Sequence, residues 1–126
     1  MASFLKDNED LRYYLDKGID WATLVSVTER RFGLGGFADP DEAKQFYDDS
    51  LELLGELCAE QVAPHALQID RESVALENGE VIFPPRLAGI FETIRGLELH
   101  GMCLPRELGG QNAPMFLYYI GTELFA

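Results

Sequence analysis

The amino-acid sequence predicts an all-α fold, in the form of a helical bundle-like domain. Apolar residues recur three and four positions apart in several segments of the 126-residue chain, which is the spacing of one helix face. Capping residues or prolines stand before these segments, and β-prone runs are almost confined to residues 74–83. A chain of this length makes about one domain with a modest core.

Residues 20–32 form the first long predicted helix. Asp20 is placed to cap its start, and Gly33 follows its end. One face of this helix would carry Trp21, Leu24, Val25, Thr28 and Phe32. An apolar face of this kind needs a partner surface, so we expect the leading segment to dock on the domain or on a neighbouring subunit.

A second, longer helix begins with Asp39 as the N-cap residue, Pro40 at the first helical position and Glu42 completing a capping box. Pro64 is expected to kink or end this helix. The predicted buried stripe contains Tyr47, Leu51, Leu54, Cys58 and Val62, widened by Phe46, Leu53 and Leu57. The acidic residues between them, Asp48, Asp49, Glu52, Glu56 and Glu60, are interpreted as a solvated face.

Residues 74–83 contain an Asn78-Gly79 turn signal between two β-prone runs, which predicts either a small hairpin or an ordered loop. Pro84 and Pro85 then open another helix, which Gly96 ends. Its predicted buried face carries Leu87, Ile90, Phe91 and Ile94.

Asn112 and Pro114 are placed to start a last helix that is apolar on nearly every side. The apolar pattern is still running at Ala126. We therefore expect this chain to be part of a longer polypeptide.

The formal net charge of −12 excludes nucleic acid and anionic membrane surfaces as partners, because both are negatively charged. No apolar run approaches the length of a membrane span, and the first residues lack the pattern of a secretory signal. The expected location is cytoplasmic. Cys58 and Cys103 lie in separate apolar surroundings and are expected to be reduced.

Local motifs alone show no active site. The stretch from Gly33 to Ala38 formally fits a dinucleotide-binding pattern, but it follows a helix and precedes acidic residues, so we interpret it as a helix end and a loop. His65 and His100 do not have the spacing of metal ligands, and no metal site is predicted. No serine, cysteine or lysine has a recognisable activating partner.

Three consecutive segments carry more specific motifs. They are an Ala63-Pro64 step followed by Asp70, a Phe83-Pro84 step that opens a helix, and the run of Gly101, Pro105, Gly109 and Gly110. In this order and spacing they resemble the amino-terminal helical domain of the flavin-dependent acyl-CoA dehydrogenases. Arg106 stands where that family commonly has an acid.

The resemblance implies a truncated amino-terminal domain over residues 41–126, preceded by a helical extension over residues 1–40. The full-length protein would oxidise an acyl-CoA to its 2-enoyl-CoA with FAD, pass electrons to an electron-transfer acceptor, and form a homo-oligomer. The glutamate base and nearly all flavin contacts would lie in a middle β-domain and a second helical domain. No catalytic or cofactor-binding residue is therefore expected in this chain.

By the same resemblance, Leu104, Pro105, Gly109 and Gly110 help position the helices that wall the acyl-binding cavity. Physically, Pro105 restricts Leu104 to an extended backbone, and the glycines permit backbone angles or close approaches that a Cβ forbids. We expect Gly110 to have a positive φ. Two alternatives stay open: an independent acidic helical interaction module without catalysis, and a family member with another flavin chemistry.

Overall fold

The structure is a computed structural model that describes residues 2–32, 36–37 and 39–126, with the side chains of residues 30–32 left out. Most of the glycine-rich motif at 33–38 therefore lies outside the described residues.

Helices dominate the described chain, which confirms the all-α class. The leading segment contains α1 (Glu9–Tyr13), a π-helical turn (Tyr14–Gly18) and α2 (Trp21–Phe32). The middle contains α3 (Pro40–Leu57), a π-helical turn (Cys58–Val62), a 3-10 turn (Ala63–His65), α4 (Ala66–Glu72) and the strands β1 (Ala75–Glu77) and β2 (Glu80–Ile82). The last part contains α5 (Pro85–Gly96), a 3-10 turn (Arg106–Leu108) and α6 (Met115–Phe125).

The segment around Asn78 and Gly79 is a hairpin rather than a loop. Strands β1 and β2 pair antiparallel, with Leu76 opposite Val81. Both turn residues have positive φ, 51° and 83°, as a tight two-residue hairpin turn requires.

Asp39 caps α3 as predicted, since its carboxylate accepts a hydrogen bond from the Asp41 N–H at 2.9 Å. Among the described residues, the Glu42 side chain accepts no hydrogen bond from the Asp39 N–H, so the capping box is incomplete. The regular α-helix ends at Leu57, and the chain reaches α4 through the two short turns. Pro64 therefore interrupts the helix as expected, and the altered hydrogen bonding of the turns accommodates its missing N–H.

Most of the predicted stripe of α3 is buried, namely Tyr47, Leu51, Leu54, Leu57 and Cys58. Val62 is only half-buried. Phe46 and Leu53 are exposed, contrary to expectation, although the Phe46 ring lies 5.3 Å from that of Phe37. On α5, Ile90 is buried, whereas Phe91 is exposed and packs against Phe83 with ring centroids 5.5 Å apart.

The leading segment docks on the domain, as predicted. Its apolar side chains belong to the same buried cluster as those of α3 and α6, and they include Leu5, Leu11, Leu15, Trp21 and Val25. The Trp21 indole N–H donates to the Leu15 carbonyl at 2.8 Å, and its ring stacks on Tyr47 at 6.1 Å. The core is therefore continuous across residue 40.

An ionic network joins the leading segment to α3. Lys44 Nζ lies 3.1 Å from Asp16 and 2.9 Å from Asp48, and Arg12 lies 3.2 Å from Asp16 and 3.6 Å from Asp48. The hydrogen bond from Lys44 holds the pKa of Asp16 below its usual value. Asp48 was expected on a solvated face, but only 15% of its side chain is exposed, because both cations cover it.

Helix α6 buries one face, made of Leu117, Ile120, Gly121 and Leu124, against the core. Its other face leaves Met115, Tyr118, Tyr119 and Phe125 exposed. None of the described helices combines the length and the apolar character needed to cross a bilayer.

Candidate functional site

The connection between α5 and α6, residues 97–114, holds the residues that the sequence singled out. Backbone hydrogen bonds fold it on itself. The Leu104 N–H donates to the Gly101 carbonyl, the Asn112 N–H to the Leu104 carbonyl, and the Ala113 N–H to the Met102 carbonyl, each at 2.8 Å. The connection is therefore an ordered loop that delivers the chain to the start of α6.

The two adjacent glycines are required for different reasons. Gly109 has a φ of 84° and ends the 3-10 turn, and a Cβ on it would meet nothing within 4 Å. Gly110 is not among the residues with positive φ, so the expectation at this position was wrong. A Cβ on Gly110 would instead lie 2.1 Å from the Leu104 carbonyl oxygen and 2.6 Å from that of Gly101.

Pro105 and Leu104 act mainly through their backbones. Pro105, with a φ of −56° and a ψ of 149°, stands before the 3-10 turn, and its carbonyl accepts from Leu108 at 3.0 Å and from Gly110 at 3.1 Å. The Leu104 side chain is exposed. The Leu104 carbonyl, in contrast, accepts a hydrogen bond from the Asn112 N–H. The same carbonyl occupies the space that a side chain on Gly110 would need.

Two side chains tie the connection to α2, and sequence reasoning missed both links. Arg106 pairs with both oxygens of Glu29, at 2.8 and 3.0 Å, and its guanidinium lies 5.6 Å from the centre of the Phe37 ring. The hydrogen bond with Glu29 raises the pKa of Arg106 above its ordinary value. The sequence shows the charge of Arg106 but gives no signal that identifies Glu29 as its partner.

Asn112 provides the second link. It was expected to help start α6, but the residue at the start of that helix is Pro114, and Asn112 is only 3% exposed with a φ of 55°. Its side-chain amide donates to the Thr28 carbonyl at 3.2 Å. An asparagine tolerates this left-handed backbone better than most residues, and here its amide also fixes the connection to α2.

An apolar cavity of about 230 Å³ lies between the connection and α3, α5 and α6. Its apolar lining includes Leu54, Ile94, Leu99, Met102, Leu117 and Phe125. None of the four predicted scaffold residues lines it. Met102, which accepts from Ala113 inside the connection, does line it. The four predicted residues therefore shape the backbone of the connection. Other residues of the connection, such as Met102, line the cavity.

Besides its apolar residues, the cavity is lined by His100, Tyr118 and Thr122, and among the described residues none of these three side chains hydrogen-bonds to another side chain. Burial raises the pKa of the Cys58 thiol to about 11 and also raises that of Cys103, so both free thiols stay protonated and weakly nucleophilic at neutral pH. Nor do three metal-ligating side chains come together anywhere in the part of the chain that the structure describes.

Two of the described helix starts do not fit the phosphates of a flavin cofactor. The N-terminal N–H groups of α2 and α3 are engaged by the carboxylates of Asp20 and Asp39, whose charge repels phosphate. Helices α5 and α6 each start after a proline and have no side-chain cap.

Comparison with known proteins gives one informative similarity. Over 75 residues, or 60% of this chain, the sequence is 29% identical to 3-methylmercaptopropionyl-CoA dehydrogenase of Ruegeria pomeroyi. The match covers 13% of that protein, so the chain spans a small part of its length. No protein-family model and no solved structure matches the chain.

Proposed function

We propose that this chain is the amino-terminal helical domain of an acyl-CoA dehydrogenase. The full-length protein would oxidise an acyl-CoA thioester to its 2-enoyl-CoA. The three ordered sequence motifs and the similarity to a CoA-thioester dehydrogenase support this proposal. The observation that carries it is the connection, in which Gly110 has no room for a side chain and the carbonyl of Pro105 accepts two hydrogen bonds.

In this proposal the chain contributes a dry, apolar support for the acyl-binding cavity and no chemical group. Gly110 and Asn112 fix the point at which α6 begins, and α6 and Met102 present apolar side chains beside the connection. Excluding water matters for this reaction because it strengthens electrostatic interactions around the reacting thioester and suppresses side reactions. FAD, when bound in the full-length protein, supplies the hydride acceptor.

The finer features of the proposal rest on the family resemblance. Residues 1–40 would be an extension and residues 41–126 the domain proper. The base and the flavin contacts would come from further domains. We further propose a cytoplasmic homo-oligomer that passes electrons to a separate acceptor.

A second candidate function, an acidic interaction module without catalysis, is favoured by two observations. The net charge is −12, and the outer face of α6 exposes Tyr118 and Tyr119. Tyrosines at exposed positions are enriched in protein interfaces. The two functions make different demands on the full-length protein, because only the dehydrogenase needs a flavin.

The test is to purify the 126-residue chain and the full-length protein in parallel. For each we would record flavin absorbance and acyl-CoA-dependent reduction of an artificial electron acceptor. The proposal predicts a yellow, active full-length protein and a colourless, inactive chain. A colourless, inactive full-length protein would favour the interaction module. A yellow protein that oxidises no acyl-CoA would indicate another flavin chemistry.

A further inference from the structure

A concave surface of about 700 Å³ lies between the first turns of the chain and α6, away from the connection. We call it the tyrosine groove, and we define it by Tyr13, Tyr14, Phe116 and Tyr119 with Asp10 and Glu123. The three tyrosines are 64%, 60% and 66% exposed. Large aromatic side chains at this level of exposure are available for contact with another molecule.

The backbone that carries these aromatic side chains is held firmly. Leu11 and Leu15 anchor the first turns in the core, and Ile120 anchors α6 beside Tyr119. The rings of Tyr13 and Tyr14 also pack edge to face, with centroids 6.3 Å apart. Tyrosines on an anchored backbone offer large contact area at a low cost in conformational entropy, which is why they are frequent in binding sites.

The charges of the groove specify what can bind there. Asp10 and Glu123 line it, and no lysine or arginine does among the described residues. Arg12, which is close in sequence, pairs with Asp16 and Asp48 instead. Exposed tyrosine faces attract cations, and carboxylates at the same site add to this attraction.

The same charges exclude other occupants. Nucleic acid and acidic peptides would be repelled by a chain of net charge −12, and a second copy docked groove to groove would place Asp10 and Glu123 opposite carboxylates of the same kind. A positively charged segment with apolar side chains satisfies both the tyrosine faces and the carboxylates. We propose that the tyrosine groove is a docking site for a partner-protein segment in which basic and apolar residues alternate.

The test uses the full-length protein and three rhodamine-labelled, end-blocked peptides, followed by fluorescence anisotropy. The first peptide alternates leucine with arginine, and in the other two glutamine or glutamate replaces arginine. The arginine peptide should bind, the glutamine peptide should bind several-fold more weakly, and the glutamate peptide should not bind. Equal binding of the arginine and glutamine peptides, or no binding of the arginine peptide at millimolar concentration, would overturn the proposal.

Single substitutions then test whether the arginine peptide binds in the tyrosine groove. Tyr119→Leu should weaken binding of the arginine peptide by about two- to five-fold, the range for one exposed cation–π contact. Phe91→Leu on α5 is the matched control and should leave the affinity unchanged, because the exposed Phe91 packs against Phe83 and does not line the groove. The same loss in both variants, or no loss in either, would place the peptide elsewhere and reject the site.

A charge variant tests the electrostatic part separately. Asp10→Asn combined with Glu123→Gln should weaken binding and reduce its dependence on salt concentration, since two of the attracting charges are removed. Glu77→Gln combined with Glu80→Gln, on the exposed hairpin, removes the same number of charges without changing the groove and is the control. An equal effect of both charge variants would mean that net charge alone attracts the peptide, which contradicts a specific groove.

Discussion

Replacing Gly110 by alanine tests the connection with a single methyl group. The added Cβ would lie 2.1 Å from the Leu104 carbonyl oxygen, far inside the ~3.5 Å at which such atoms are in favourable contact. The backbone must therefore move by more than about 1 Å. A movement of this size breaks the 2.8 Å bond from Asn112 to Leu104 and the 2.8 Å bond from Leu104 to Gly101.

The expected cost follows from these contacts. Two lost hydrogen bonds contribute about 1–3 kcal/mol, and residual overpacking adds about 1–3 kcal/mol. The free energy of unfolding should fall by about 2–6 kcal/mol, which for a domain of this size lowers Tm by roughly 8–25 °C. Circular dichroism during heating, together with denaturant titration, measures both quantities.

Two other glycines provide matched controls. Gly109→Ala has a strained φ of 84° but no collision, and should cost about 1–2 kcal/mol. Gly89→Ala lies in α5, where a Cβ meets nothing, and should be neutral or stabilise by up to about 1 kcal/mol. The reasoning is refuted if Gly110→Ala melts at the same temperature as Gly109→Ala.

Three further predictions concern other parts of the core. In a double-mutant cycle with Glu29→Gln and Arg106→Met, denaturant unfolding should give an interaction free energy of about 1 kcal/mol for the pair. An interaction free energy of zero would mean that the pair does not stabilise the fold. Burial raises the pKa of Tyr47 to about 12. Its contribution to stability is complete below about pH 10 and is lost as the pH rises toward 12, so Tyr47→Phe should flatten the fall in denaturant midpoint across that window. In the native protein, a disulfide reagent at pH 8 should modify Cys103 at least about ten-fold faster than the deeply buried Cys58, and equal rates would contradict their different burial.

Helices were predictable from the sequence because their signals are local. The caps Asp20 and Asp39 act on N–H groups two or three residues away, and the Asn78-Gly79 turn depends on its own backbone angles. The width of a buried face was not predictable. Phe91 has the spacing of a buried residue, yet whether it is covered depends on which segment lies opposite, and here Phe83 covers it only in part.

The sequence predicted that residues 97–114 connect two helices, but not how the two glycines shape that connection. A sequence shows that Gly109 and Gly110 lack side chains, but only the structure shows that one needs a left-handed backbone and the other needs space. The pair of Glu29 and Arg106 spans 77 positions. With 22 acidic residues in the chain, sequence alone offers no means of choosing the partner of Arg106.

The central claim, that this chain belongs to an acyl-CoA dehydrogenase, is tested most directly by one anaerobic titration. Acyl-CoA is added to the purified full-length protein, and the absorbance of oxidised flavin is followed. We expect the flavin band to bleach as the substrate reduces it and 2-enoyl-CoA to form in equal amount. A protein that carries no flavin, or a flavin that stays oxidised with acyl-CoA of every chain length tried, would contradict the claim.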